Sequence, residues 1–240
     1  MSGFLFLGFL IGMAHALEAD HLAAVGAMAS GQRSSKKSLA IRGAAWGLGH
    51  AVTLFVVCAA VILLGLTLTG QASAVLEFAV GVMLVALGID VLRKLWKKRI
   101  HFHVHTHDKG KPHLHAHSHE HAKKPHDADP HIHEHPQGFP VKAMLVGLLH
   151  GAAGSAGLLA LTVAATGSPL VALSYVLLFG LGSILGMAVL SMVVAYPLAA
   201  AEKHTKLLHK MLSISAGAFA ICLGLKVMHE TIFVAFAGLI

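Results

Sequence analysis

Polar side chains are so sparse along this chain that their gaps define its architecture. Six apolar runs, about 4–29, 40–66, 73–96, 141–165, 168–198 and 210–232, each reach or exceed the ~20 residues a helix needs to cross a bilayer. The pattern therefore predicts an all-α integral membrane protein with six transmembrane helices, and little room for a soluble domain. The apolar tail beyond the sixth run, to Ile240, extends that helix or lies at the interface. Ala14-His15-Ala16 imitates a signal-peptide cleavage site. No basic segment precedes it and apolar sequence continues past it, so the first run is expected to stay as a helix.

Composition agrees, with 56% hydrophobic and only 12% charged residues. The formal charge of +7 is concentrated between runs and gives no reason to expect a nucleic-acid partner. Arg33, Lys36, Lys37 and Arg42 occupy the first connection, Arg93, Lys94, Lys97, Lys98 and Arg99 open the third, and Lys203, Lys206 and Lys210 occupy the fifth. The second and fourth, TLTGQAS and ATGSPL, carry no charge. Basic connections face the cytoplasm. The expected location is the cytoplasmic (inner) membrane, multi-pass, with both termini outside. Cys58 and Cys222 lie within the runs as small packing residues, with no disulfide framework indicated.

The chain divides into 1–100, a central tract 101–140, and 141–240, and the outer parts repeat one another. GMAHALEADHLAAV (12–25) aligns with GLLHGAAGSAGLLAL (147–161), WGLGHAVTL (46–54) with FGLGSILGM (179–187), and GVMLVALGIDV (81–91) with GAFAICLGLKV (217–227). Three spans per copy force the second to enter from the opposite side, giving two inverted three-helix repeats. The copies differ in chemistry. His15 matches His150, but Asp20 matches Ser155, His21 matches Ala156 and His50 matches Ser183.

An ionisable group in a span costs about 2.5–3.5 kcal/mol on insertion scales, so a role is sought for each. Counting from the cytoplasmic helix ends, His21, His50 and His150 share a depth of roughly 12–14 Å, with Asp20 a step deeper and His15 nearer the centre. Imidazole and carboxylate together suit borderline first-row cations. His15, Asp20, His21, His50 and His150 are the candidate metal ligands. Glu18, Ser155 and Ser183 are candidates for supporting them, and Glu18, one turn from both His15 and His21, is placed to orient an imidazole. A straight helix cannot aim three of these groups at one ion, because His15 and His21 lie about 120° apart and Asp20 at least about 100° from either. An irregularity within 14–21 is therefore expected.

The central tract holds thirteen of the twenty histidines: His101, His103, His105, His107, His113, His115, His117, His119, His121, His126, His131, His133 and His135. Alternation hints at a strand, but prolines interrupt it, and the tract is expected to be a disordered cytoplasmic loop. It would capture divalent metal in interchangeable geometries, more weakly below about pH 6 as imidazoles protonate.

His15-x4-Asp20-His21 resembles the H-x4-D-H signature of the nickel/cobalt transporter superfamily, and Gly47-Leu48-Gly49-His50 is similar to its L-G-H element. Six spans around a histidine-rich loop resemble its nickel/cobalt efflux and urease-accessory branches, and GLLHGAAGSAG around His150 looks more like the latter. The acidic signatures of its eight-span permeases are not found. The resemblance implies movement of Ni²⁺ or Co²⁺ as substrate, in either direction, no prosthetic group and no enzymatic activity. Its implied partners are divalent metal ions, the lipid bilayer and cytoplasmic metallochaperones. Zinc or iron is the nearest variant. A di-iron oxidase or desaturase has only the His204-x4-His209 spacing in its favour and no His-His pair. A non-transporting metal sensor or store is the third reading.

Overall fold

The computed structural model describes residues 2–29, 36–66, 68–97, 101–105, 113–117, 140–154, 168–204 and 206–237. Seven helices are found among them: α1 (Ser2–His15), α2 (Ala19–Ala29), α3 (Lys36–Leu64), α4 (Gly70–Lys97), α5 (Val141–Ala153), α6 (Pro169–His204) and α7 (Lys206–Ala235). Four of them, α3, α4, α6 and α7, are long and apolar enough to span a bilayer, and α1 with α2 forms a fifth span if taken as one bent unit.

Local chemistry sets the ends. Gly65 closes α3 at φ +64, a left-handed conformation that glycine adopts without a Cβ penalty. The Thr69 hydroxyl accepts the Ala72 amide at 3.1 Å and so caps the start of α4. Pro169, whose missing N–H is not needed in the first turn, opens α6.

The first apolar run is not one helix. α1 stops at His15, the chain turns through Ala16, Leu17 and Glu18, and α2 leaves at 51° to α1. The Leu17 and Glu18 amides donate to the Ala14 and His15 carbonyls at 2.9 and 3.1 Å, and the Leu22 amide donates to Glu18 at 2.9 Å. These bonds satisfy groups that lipid could not.

Packing is mostly backbone against backbone. α1 lies on α6 and α5 on α3, while α3 crosses α6 and α4 pairs with α7. Glycines make the approach possible. Gly8 faces the Tyr175 ring, Gly12 the Phe179 carbonyl, and Gly186 faces Met13 and Ala16, so α1 and α6 run parallel, with Gly182 against Phe9 and Met13 between them. Gly147 faces the Trp46 carbonyl and Gly151, one turn on, the His50 carbonyl, so α5 and α3 also run parallel, with Gly49 against Met144 and Leu148. Gly43 and Gly47 meet Met187 and Ile184, which makes α3 and α6 antiparallel, and Gly81 and Gly88 meet Gly224 and Gly217 in an antiparallel α4–α7 pair. Side chains such as Phe6, Val56, Leu177 and Phe233 point outward, as a lipid solvent allows. Half of the apolar window of α6 is buried, more than in the other long helices, and α6 is the central helix.

The central tract departs from the expected disorder in part. His101–His105 (β1) and His113–His117 (β2) pair antiparallel, with Phe102 opposite Ala116 and Val104 opposite Leu114. The residues between these particular histidines are apolar, so the period-two pattern is locally that of a strand. The rest of the tract, including His107, His119, His121, His126, His131, His133 and His135, lies outside the described residues.

Candidate metal centre

The break between α1 and α2 assembles the centre. His15 ends α1, Asp20 and His21 begin α2, and the turn between them removes the angular conflict of a straight helix. The negative end of the α1 dipole and the positive end of α2 both lie here, and Asp20 sits at the end that favours an anion. His50 projects from α3 and His150 from the last turn of α5.

The four imidazoles form one cluster. Ring centroids lie 4.6 Å apart for His15 and His21, 5.2 Å for His15 and His50, 5.3 Å for His21 and His50, and 4.2 Å for His21 and His150. His21, His50 and His150 are at most 2% exposed. Two sets of three can offer one donor atom each within 4.8 Å of one another: His15, His21 and His50, and Asp20, His21 and His150. Metal–nitrogen bonds of about 2.1 Å hold ligand atoms roughly 3–3.5 Å apart, a spacing within the reach of both sets. His21 belongs to both sets.

The carboxylates hold the outer nitrogens. Glu18 Oε1 lies 2.7 Å from His15 Nδ1, and Asp20 Oδ1 lies 2.9 Å from His21 Nδ1 while accepting the His21 amide at 2.8 Å. Asp20 Oδ2 lies 2.7 Å from His150 Nε2. His15 Nε2, His21 Nε2, both nitrogens of His50 and His150 Nδ1 are buried with no hydrogen-bond partner among the described residues. A buried polar atom left unpaired costs about 1–3 kcal/mol, and five gathered in one cluster need a shared explanation. Imidazoles gripped at one nitrogen by a carboxylate, with the other nitrogen bare, could hold a metal ion with the carboxylates orienting them from behind.

Other candidates fall elsewhere. The Ser183 hydroxyl donates to the Gly12 carbonyl at 3.2 Å, tying α6 to α1 one turn before His15. Ser155 lies outside the described residues. Sequence reasoning passed over two aromatic neighbours. The Trp46 ring lies 5.4 Å from His21 and 6.0 Å from His150, and the Phe179 ring lies 5.3 Å from His15. Their signal was available, since both residues open the aligned WGLGH and FGLGS segments.

Fold and site together define a polytopic membrane protein with a buried imidazole–carboxylate centre built on a broken helix. The chain is 30% identical over 230 residues to the protein named Urease accessory protein UreH from Bacillus sp. (strain TB-90), an alignment covering 93% of this chain and 90% of that one. It belongs to the nickel/cobalt transporter superfamily. No family model and no solved structure matches the chain.

Proposed function

We propose that this protein carries Ni²⁺ or Co²⁺ across the cytoplasmic membrane through the centre formed by His15, Asp20, His21, His50 and His150. The observation that carries the reading is the gathering of unpartnered imidazole nitrogens in one buried cluster. A nitrogen-rich set replaces the water shell of a borderline cation better than that of Mg²⁺ or Ca²⁺, which prefer oxygen. Kinship to the urease accessory protein supports nickel first.

The reading includes six spans in two inverted repeats, and reciprocal glycine contacts support it. Under the alignment Gly12 corresponds to Gly147 and Trp46 to Phe179. Gly12 faces Phe179, and Gly147 faces Trp46. Gly182 faces Phe9 and Met13, and their counterparts Met144 and Leu148 face Gly49. Parallel α1–α6 and α3–α5 pairs and antiparallel α4–α7 are the directions that two oppositely inserted copies require. The basic connections then face the cytoplasm, the termini lie outside, and the histidine tract receives or delivers ions on the cytoplasmic side, where metallochaperones could exchange with it.

The test is uptake of radioactive Ni²⁺ into proteoliposomes, with Co²⁺, Zn²⁺ and Fe²⁺ as competitors and a gradient imposed in each direction. Saturable flux with nickel or cobalt preference is the expected result. Metal binding without flux would leave a sensor or store instead. Deleting 101–135 should lower uptake at limiting metal while sparing the maximal rate, read from the concentration dependence of the same flux. Asp20→Asn keeps shape but loses the charge that orients two imidazoles. It should weaken Ni²⁺ binding by about 10–100-fold in equilibrium dialysis, the range for lost orienting carboxylates.

A further inference from the structure

Trp46 and Phe179 occupy corresponding places in the two repeats and stand on opposite sides of the metal centre. α3 passes through Arg42, Trp46 and His50 at successive turns, so Trp46 lies one turn toward the basic end of α3 from His50. α6 runs the other way, and Phe179 lies one turn before Ser183, the counterpart of His50. Each ring leans on the corresponding histidine: Phe179 on His15 at 5.3 Å, and Trp46 on His150 at 6.0 Å. Both are buried, at 3% and 0% exposure.

What lies behind the two rings differs. Beyond Phe179, Tyr175 stacks on Phe4 with centroids 4.6 Å apart, Gly8 fits against the Tyr175 ring, and Leu54 and Cys58 complete an apolar layer. Beyond Trp46 is a cavity of about 40 Å³ lined by Val25, Met28, Arg42, Gly43, Ala143 and Ser191. About 10–15 Å³ measured this way holds one water, so the space has room for water on the far side of the indole. α2, α3 and α5 all lead from this cavity to the centre, with Trp46 at the level between them.

We propose that Trp46 and Phe179 are the inner and outer gates of the ion path, derived from one ancestral aromatic position. In this structure the outer gate is backed by the Tyr175–Phe4 layer, whereas the inner gate, packed with Ala23, Ala24, Val25 and Ala143 in one cluster, lies between the centre and the cavity. Displacing Trp46 would connect the centre to the cytoplasmic side. The mirror movement at Phe179 must also part Tyr175 from Phe4. The proposal rests on the transport reading and on the inverted repeat.

The experiment compares passive Ni²⁺ flux in proteoliposomes for the full chain, Trp46→Ala, Phe179→Ala and the double variant. With one gate removed, each opening of the other makes a brief through path, so each single variant should leak above the wild type but less than the double variant. The double variant should leak, with flux at least tenfold above the wild type and no saturation. Leu54→Ala with Tyr175→Ala, at positions that are buried but in neither gate, is the packing control and should not leak. The exchange variant Trp46→Phe with Phe179→Trp should retain saturable transport. If the alanine pair does not yield folded protein, Trp46→Leu with Phe179→Leu replaces it with the same expected leak. Wild-type flux with a folded double variant that leaks no more than the single ones overturns the gates alone. Absence of flux in the wild type overturns the transport reading beneath them.

Discussion

His21→Ala is expected to abolish Ni²⁺ transport and weaken metal binding by more than about 100-fold, the upper range for an orienting group, since under the proposed function it removes a ligand itself. The reason is geometric: His21 is the member common to both triads, and its ring lies within 5.3 Å of the other three imidazoles. Losing His50 or His150 leaves one triad intact, so His21→Ala should be the most severe single change in the centre. Trp46 supplies the readout. The chain has two tryptophans, so Trp96→Phe leaves one indole, centred 5.4 Å from the His21 ring. Paramagnetic Ni²⁺ or Co²⁺ bound there should quench its fluorescence, and adding His21→Ala should remove the quenching at the same metal concentration. Undiminished quenching and flux would remove His21 from the centre.

The second large effect is expected at a residue with no side chain to offer an ion. Gly147→Ala adds one methyl group, but its Cβ would press on the Trp46 carbonyl and the His50 amide, which are backbone and cannot step aside. Alanine in a helix normally gains up to about 1 kcal/mol over glycine. Here overpacking of roughly 1–3 kcal/mol or more should outweigh that gain. α5 would be pushed off α3, carrying His150 away from the cluster. The expected result is a lower midpoint of thermal unfolding in detergent, followed by circular dichroism, together with loss of transport. Gly70→Ala is the control, since its Cβ would meet nothing within 4 Å, and it should be neutral or slightly stabilising. Equal behaviour of the two variants would mean that the α3–α5 contact does not position the centre.

Much of the centre was legible because lipid makes ionisable groups conspicuous. His15, Asp20, His21, His50 and His150 stand out in apolar runs, and counting from the helix ends already set three histidines at one depth. The break at Ala16–Glu18 was legible as a contradiction, since one straight helix could not aim His15, Asp20 and His21 together. Helix partners were not legible. Gly12, Gly147 and Gly182 are equally small, and nothing in their spacing says that α1 rests on α6 instead of a helix of its own half. Trp46 and Phe179 were missed because an aromatic residue in an apolar helix is ordinarily core. The β1–β2 pairing was missed because the prolines of the tract were weighed above the apolar residues at Phe102, Val104 and Leu114.

The resting place of α1 has a consequence for biogenesis. Gly8 and Gly12 fit against Tyr175 and Phe179, on a helix that a ribosome makes more than 150 residues later. Until α6 emerges, the first segment has no surface shaped to receive it, and its interrupted end has no permanent shelter. α1, though made before α6, therefore completes its packing only after α6 is in place, and the imidazole cluster that its end joins matures no earlier.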